Sequence, residues 1–272
     1  MAKKGKVLKG YPDIIYAKEN GIATIKMNRP DKMNAFTPEM SDSLYRAVED
    51  SMNDDDVKVL VITGEGRAFC SGADVKAMAE RLRQPGAQGA MIARSSERIS
   101  LHLLMQKCPK PIIGAINGVA VGGGLDFACA CDIRIASDKA RFAEVFIRRG
   151  MLPAAGGTYF LPRLVGIDKA LFMAMTGDMI DAREAERIGL VTMIVPHDEL
   201  EIATMELAEK LAKGPTLAIQ KTKKAIYEGL MMDLEETLKY ISGVMQGLNQ
   251  TRDHQEGATA FVEKREPLFR GE

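Results

Sequence analysis

The chain has 272 residues, 37 of them Lys or Arg and 37 Asp or Glu, so its formal charge at neutral pH is zero. That balance argues against nucleic acid as a partner, because phosphate neutralisation needs a basic surplus or stripe. No apolar run approaches the roughly 18 residues needed to cross a bilayer. The N-terminus has neither a signal-peptide core nor the Arg/Ser-rich, acid-poor character of a transit peptide. A cytoplasmic location without membrane association is therefore expected. Cys70, Cys108, Cys129 and Cys131 sit in apolar or Gly-rich surroundings without CxxC or zinc-ligand spacing, so they are expected to be reduced and buried, with no metal site.

Lys3, Lys4, Lys6 and Lys9 read as a solvated tail. Residues 13–28 alternate apolar and polar around Asn20-Gly21, a two-residue hairpin signal. Thr37-Pro38 reads as the N-cap and first residue of a helix running to about Met52. Val57–Thr63 and Ile112–Ala120 read as buried strands. Residues 76–107 between them read as helical, with one break at Pro85-Gly86 and a well-buried second helix around Leu101, Leu103, Leu104 and Met105. A short buried helix is expected over Leu125–Cys131 and a strand over Ile133–Ala136. Strands alternating with helices indicate an α/β class. From about Ile167 the pattern is almost wholly helical, with breaks at Gly177, Gly189, Gly214-Pro215 and Asp233. This divides the chain into an α/β core over 1–200 and a helical region over 201–272. Met231, Leu234, Leu238, Ile241, Met245 and Leu248 form a stripe suited to a core or an oligomer interface.

Three consecutive glycines, Gly122–Gly124, directly after an apolar run are costly in entropy and need a geometric reason. One is a tight turn made for packing. The other is close backbone approach to a ligand, with free N–H groups at a helix start receiving negative charge. The spacing is neither a dinucleotide fingerprint nor a P-loop. Asp132 sits at a helix-to-strand junction, where a carboxylate satisfies free amides. His102 lies in an apolar helix and reads as a core or pocket-edge residue; His197 and His254 read as surface positions.

The stretch Gly64-Glu65-Gly66-Arg67-Ala68-Phe69-Cys70-Ser71-Gly72-Ala73-Asp74-Val75-Lys76, taken with Gly118–Asp126, strongly resembles the enoyl-CoA hydratase/isomerase (crotonase) family. Asn28-Arg29-Pro30, Asn34-Ala35, Gly156-Gly157-Thr158, Leu161-Pro162-Arg163, Thr176-Gly177 and Ala260–Arg265 match in the family's order, so the resemblance spans about residues 12 to 268. It implies a ClpP-like spiral of repeated ββα units with a C-terminal helical trimerisation region, assembled as a homotrimer or homohexamer. It also implies an acyl-CoA substrate with no cofactor beyond the coenzyme A that the substrate carries. The backbone N–H groups of Ala73 and Gly123 match the oxyanion hole for the thioester oxygen. Arg29, Lys32, Ala35, Asp74, Val75 and Lys76 match positions along the coenzyme, and Phe261 and Lys264 match a C-terminal helix that completes its site.

Typical hydratases of the family carry two glutamates, at the positions held here by Asp126 and Phe146. The first stays acidic and one methylene shorter; the second cannot exchange a proton, and it suggests an apolar acyl pocket. Glu144, two residues earlier, replaces the missing acid if its segment is extended, since residues two apart share a face. The acid of family isomerases is also absent, at Ala154. Dienoyl-CoA isomerases combine an acid at the Asp126 position with further acids where Phe146 and Ala154 stand. The expectation is thus a hydratase-type enzyme using Asp126, with Glu144 as second acid. The alternatives are a double-bond isomerase, a non-catalytic acyl-CoA-binding homologue, and an acyl-CoA hydrolase or decarboxylase sharing the same oxyanion hole.

Overall fold

A computed structural model describes residues 6–75, 79–80, 83 and 100–272. Lys3, Lys4, Lys76 and the expected break at Pro85-Gly86 lie outside the described residues. Strands β1 (Lys6–Leu8), β2 (Ile14–Glu19) and β3 (Ile22–Met27) form an antiparallel start. Asn20 and Gly21 have φ of 51° and 80°, the left-handed pair that a two-residue hairpin turn demands. The tail reading fails at Lys6, whose backbone is paired to Lys18 in β2. Helix α1 (Pro38–Asn53) starts as expected, with the Thr37 hydroxyl accepting from the Met40 amide at 2.9 Å.

Next come β4 (Val59–Gly64), β5 (Ala68–Cys70), α2 (Leu101–Lys107), β6 (Ile112–Ile116), β7 (Val119–Val121), α3 (Gly123–Cys129), β8 (Ile133–Ser137) and β9 (Arg141–Ala143). Of each strand pair, the first joins a seven-stranded sheet ordered β1-β2-β3-β4-β6-β8-β11, where β11 is Met193–Val195, and the second a four-stranded sheet ordered β10-β9-β7-β5, where β10 is Ile180–Asp181. Ile112–Ala120 is therefore two strands in two sheets. Asn117 makes the corner: its side chain accepts from the Gly64 amide at 3.2 Å and donates to the carbonyls of Gly66 at 2.8 Å and Ala68 at 3.1 Å. A Cβ on Gly118 would fall 2.1 Å from the Arg67 carbonyl oxygen, so only glycine fits there. The run hid this corner because its residues are apolar and mostly buried on either side of it, leaving no period to read.

The helical stretch after β9 also differs from expectation. Helix α4 (Gly157–Thr176) begins ten residues before Ile167 and kinks at Gly166, after Pro162. Strands β10 (Ile180–Asp181) and β11 (Met193–Val195) flank α5 (Ala182–Arg187); at two and three residues they are too short to carry a pattern. Helix α6 (Leu200–Ala212) covers one face of the large sheet with Leu200 and Ala208 against Ile22, Val59, Val61, Ile113 and Ile135. The other face holds the larger core, including Tyr16, Met27, Leu44, Ile62, Phe127 and Phe142. Parallel strands buried on both faces explain the continuous apolar runs. Among the described residues all four cysteines are free and buried, and no helix is long and apolar enough to cross a membrane.

Helices α7 (Thr216–Gly229), α8 (Leu234–Leu248) and α9 (Arg252–Glu263) complete the chain. Helix α7 docks through a buried polar knot. Lys223 Nζ lies 2.7 Å from Asp132 and donates to the carbonyls of Met105 and Lys110, while the Tyr227 hydroxyl donates to Asp132 at 3.0 Å. Asp132 also accepts from the Ile112 amide at 2.8 Å, the structural role read for it. Tyr227→Phe removes one charge-assisted bond and is expected to lower unfolding stability by about 1.5 kcal/mol in urea titration. An unshifted midpoint would show that this bond contributes nothing. Leu234 and Leu238 are 74% and 58% exposed, so their stripe is not a core.

Candidate active site

Two turns bring their backbones together at one end of the small sheet. β5 ends at Cys70 and leads into Ser71-Gly72-Ala73; β7 ends at Val121 and leads into Gly122–Gly124. Gly72 has φ of 82°, and a Cβ built on it would lie 2.8 Å from the Val121 carbonyl and 3.1 Å from the Gly123 nitrogen. A Cβ on Gly124 would sit 2.1 Å from the Cys70 carbonyl oxygen. These glycines exist for close approach of main chain to main chain. Ala73 is pinned by Phe36, whose amide donates to Gly72 O at 2.8 Å and whose carbonyl accepts from the Asp74 amide at 3.4 Å. The Ala73 and Gly123 amides themselves have no acceptor among the described residues, and both residues are only half-buried. Helix α3 starts at Gly123 rather than after the glycines, so the Gly123 amide is one of the unpaired donors of its first turn.

One turn into α3, Asp126 is fully buried, and so is Glu144 from the end of β9. Residues Val145–Arg149 form a 3-10 turn, not an extended segment. Glu144 and Phe146 therefore part: Glu144 turns to Asp126, and the Phe146 ring packs beside Gly122. As carboxylates, Asp126 Oδ1 and both Glu144 oxygens have no donor among the described residues. Two buried carboxyls side by side ionise together only at high cost, so one proton shared by the pair is the state this placement favours. Asp126 Oδ2 accepts from the Ala155 amide at 3.0 Å, and the Gly157 amide at the start of α4 adds a weaker pull. Burial pushes both carboxyls up; Glu144 rises much further, through burial and the neighbouring Asp126 charge, without amides to hold it ionised. The two acids titrate as a pair, and the amide bond on Asp126, which Glu144 lacks among the described residues, favours the charge on the Asp126 side.

A carboxyl whose pKa is raised on folding keeps its proton where the unfolded chain has lost it. Stability is then highest below the unfolded value and falls as pH rises above it, by up to about 1.4 kcal/mol per pH unit per proton. Glu144→Gln keeps a neutral donor toward Asp126 and removes this proton. Its thermal midpoint should match the parent near pH 4 and exceed it increasingly toward pH 8. Parallel midpoint curves for the two proteins would contradict the shared-proton assignment.

Other residues singled out by sequence fall in several places. The Arg29 guanidinium donates to Ala35 O at 2.6 Å and lies 3.6 Å from Asp74, closing the loop over residues 29–35 onto the Ala73 turn. Lys32 and Val75 are exposed and Ala35 is buried. Phe261 and Lys264 lie on and just after α9, with Phe261 86% exposed; no bond joins them to the two turns among the described residues. Lys76 lies outside the described residues. A cavity of about 900 Å³ is lined by Ala154, Ala155, Gly156, His102, Tyr159 and residues of α7; the Ala155 amide on its wall is the one that holds Asp126. His102 is at the cavity edge, one of the two places read for it, and stands edge-on to Phe127; its Nε2 has no partner among the described residues, and burial holds it neutral, at about 4. The amides of Ala155 and Gly157 left no sequence signal beyond the glycine pair itself.

The chain and its fold have known counterparts. The chain matches the enoyl-CoA hydratase/isomerase family model over residues 17–272 and belongs to that family. It is 40% identical over 256 residues to an (E)-benzylidenesuccinyl-CoA hydratase of Thauera aromatica, covering 93% of this chain and 96% of that one. It is 34% identical over 255 residues to a 1,2-epoxyphenylacetyl-CoA isomerase of Escherichia coli, covering 93% and 96%. The crystal structure of an enoyl-CoA hydratase from Bacillus anthracis superposes with a TM-score of 0.87 at 34% identity, covering 96% of this chain and all of that one. The two-sheet spiral with its added helices is the crotonase fold, as the resemblance implied.

Proposed function

We propose that this family member hydrates an α,β-unsaturated acyl-CoA, with Asp126 and Glu144 as its acid–base pair and the amides of Ala73 and Gly123 as donors to the thioester oxygen. The single observation carrying this reading is a neighbouring pair of fully buried acids whose Asp126 Oδ1 and both Glu144 oxygens lack a donor among the described residues, one turn from an unpaired helix-start amide. Asp126 takes a proton from water as the water oxygen adds to the β-carbon. The double-bond electrons move onto the thioester oxygen, where two amides meet the developing charge; one such donor contributes about 2.7–4 kcal/mol. Glu144 gives its proton to the α-carbon, and the proton on Asp126 passes to Glu144, restoring the pair. Atoms and charge balance over the cycle, and no cofactor enters it.

The coenzyme lies along Arg29, Lys32, Ala35, Asp74, Val75 and Lys76 in this reading, supported by the closure of loop 29–35 onto the Ala73 turn. Phe261 and Lys264 complete its site in an assembled trimer or hexamer. The exposed apolar residues of α7 to α9, Phe261 and Leu234 foremost, support such an assembly. Phe146 lines the acyl side beside Gly122. The hydratase and isomerase activities in the relatives' names agree with a pair that both gives and takes a proton. The complete burial of both acids favours a second reading, a CoA-thioester binder without turnover. Incubation with crotonyl-CoA, read by product mass and proton NMR, separates them: gain of one water supports hydration, and unchanged mass with a moved double bond in the NMR spectrum supports isomerisation. Binding without product supports the second reading.

A further inference from the structure

The 3-10 turn after Glu144 ends in two arginines that differ in their surroundings. Arg148 packs over Gly177 and lies 4.0 Å from Asp178. Arg149 has no such partner. Its guanidinium carbon stands 5.8 Å from the centre of the Phe146 ring, and a Cβ built on Gly122 would lie 3.8 Å from its Nη2. Its Nε is buried without an acceptor, and Arg149 makes no hydrogen bond or ion pair among the described residues. A guanidinium carries five N–H donors and cannot lose its charge. Arg149 is half-buried, and its buried Nε without a partner calls for an explanation.

The two nearby acids do not supply one. Asp126 and Glu144 are engaged with each other and with the start of α4. The residue under the guanidinium is an uncharged ring, at the position where the hydratase pattern places an acid. The cation therefore sits beside the glycine turn without a counter-charge. It is also on the opposite side of that turn from the coenzyme loop: a Cβ on Gly123 would meet the Phe36 ring, whereas one on Gly122 meets Val145, Phe146 and Arg149.

We propose that Arg149 is a specificity-determining residue that holds a second carboxylate on the acyl group, so that the favoured substrates are CoA thioesters of unsaturated dicarboxylic acids. This rests on the reading of the Gly123 turn as the thioester site. A carboxylate meets a guanidinium with two parallel charge-assisted bonds, stronger than neutral ones, and the Phe146 ring leaves that charge no competing partner. The acyl chain then runs from the Gly123 amide past Gly122 to Arg149.

Calorimetric binding of glutaryl-CoA and pentanoyl-CoA, which share chain length and differ by one carboxylate, tests this without turnover. The parent chain is expected to bind glutaryl-CoA about tenfold or more tightly. Arg149→Leu should abolish the ratio, and Arg149→Lys, which keeps the charge but loses the fork, should retain part of it. Equal affinities in the parent, or a Leu variant that weakens both thioesters by one factor, would overturn the assignment while leaving the thioester site intact. Binding of neither thioester by the parent would overturn the thioester site and the assignment together.

Discussion

Asp126→Asn is expected to lower kcat on an enoyl-CoA substrate by about 10²- to 10⁴-fold, the usual contribution of a positioned acid–base group. The amide keeps the shape of Asp126 and an acceptor for the Ala155 amide, so thioester binding should change far less than turnover. With Asp126 neutral, Glu144 loses the negative neighbour that helps raise it, and its pKa should fall. The alkaline limb of the residual rate should move to lower pH accordingly. Because the two acids share one proton, Asp126→Asn and Glu144→Gln should be strongly non-additive, the double variant being hardly slower than the worse single one. A kcat within threefold of the parent for Asp126→Asn would remove this residue from the chemistry.

Gly123→Pro should cost about 10²- to 10³-fold in kcat, the price of one lost oxyanion donor. The position suits the test. Gly123 is the first residue of α3, where proline is tolerated because its missing N–H would have no helical partner. A Cβ there meets nothing closer than the Phe36 ring, at 3.8 Å. Gly123→Ala keeps the amide and adds the same first carbon, so the ratio of the two variants isolates the N–H. Equal rates for the Pro and Ala variants would mean that this amide does not touch the reacting oxygen.

The parts of the site that sequence made legible are those written in local chemistry. The hairpin at Asn20-Gly21, the Thr37 cap and the glycine turn before Asp126 each follow from backbone demands that few residues meet. The reduced cysteines follow from spacing and surroundings. The corner at Asn117-Gly118 stayed hidden because apolar residues lie on both sides of it, and no periodicity marks where one sheet ends and another begins. Glu144 was found on a premise the fold does not honour. It was expected to share a strand face with Phe146, whereas a 3-10 turn separates them and a tertiary contact carries Glu144 to Asp126. The amides of Ala155 and Gly157 that act on Asp126 come from a helix start about thirty residues downstream, which no local pattern connects to α3. Nothing in the sequence separates Arg149 from Arg148; only the packing shows that its neighbour is anchored and it is not.

Everything in the proposed chemistry depends on bound thioester being polarised by amide hydrogens of two turns. The carbonyl stretch of ¹³C-carbonyl butyryl-CoA, an unreactive saturated thioester, reads that directly by infrared difference spectroscopy. On binding to the parent chain the band should move clearly to lower frequency, and the move should shrink in Gly123→Pro but not in Gly123→Ala. A band that stays at its solution frequency while the thioester is bound would contradict the oxyanion hole and the enzymatic reading built on it.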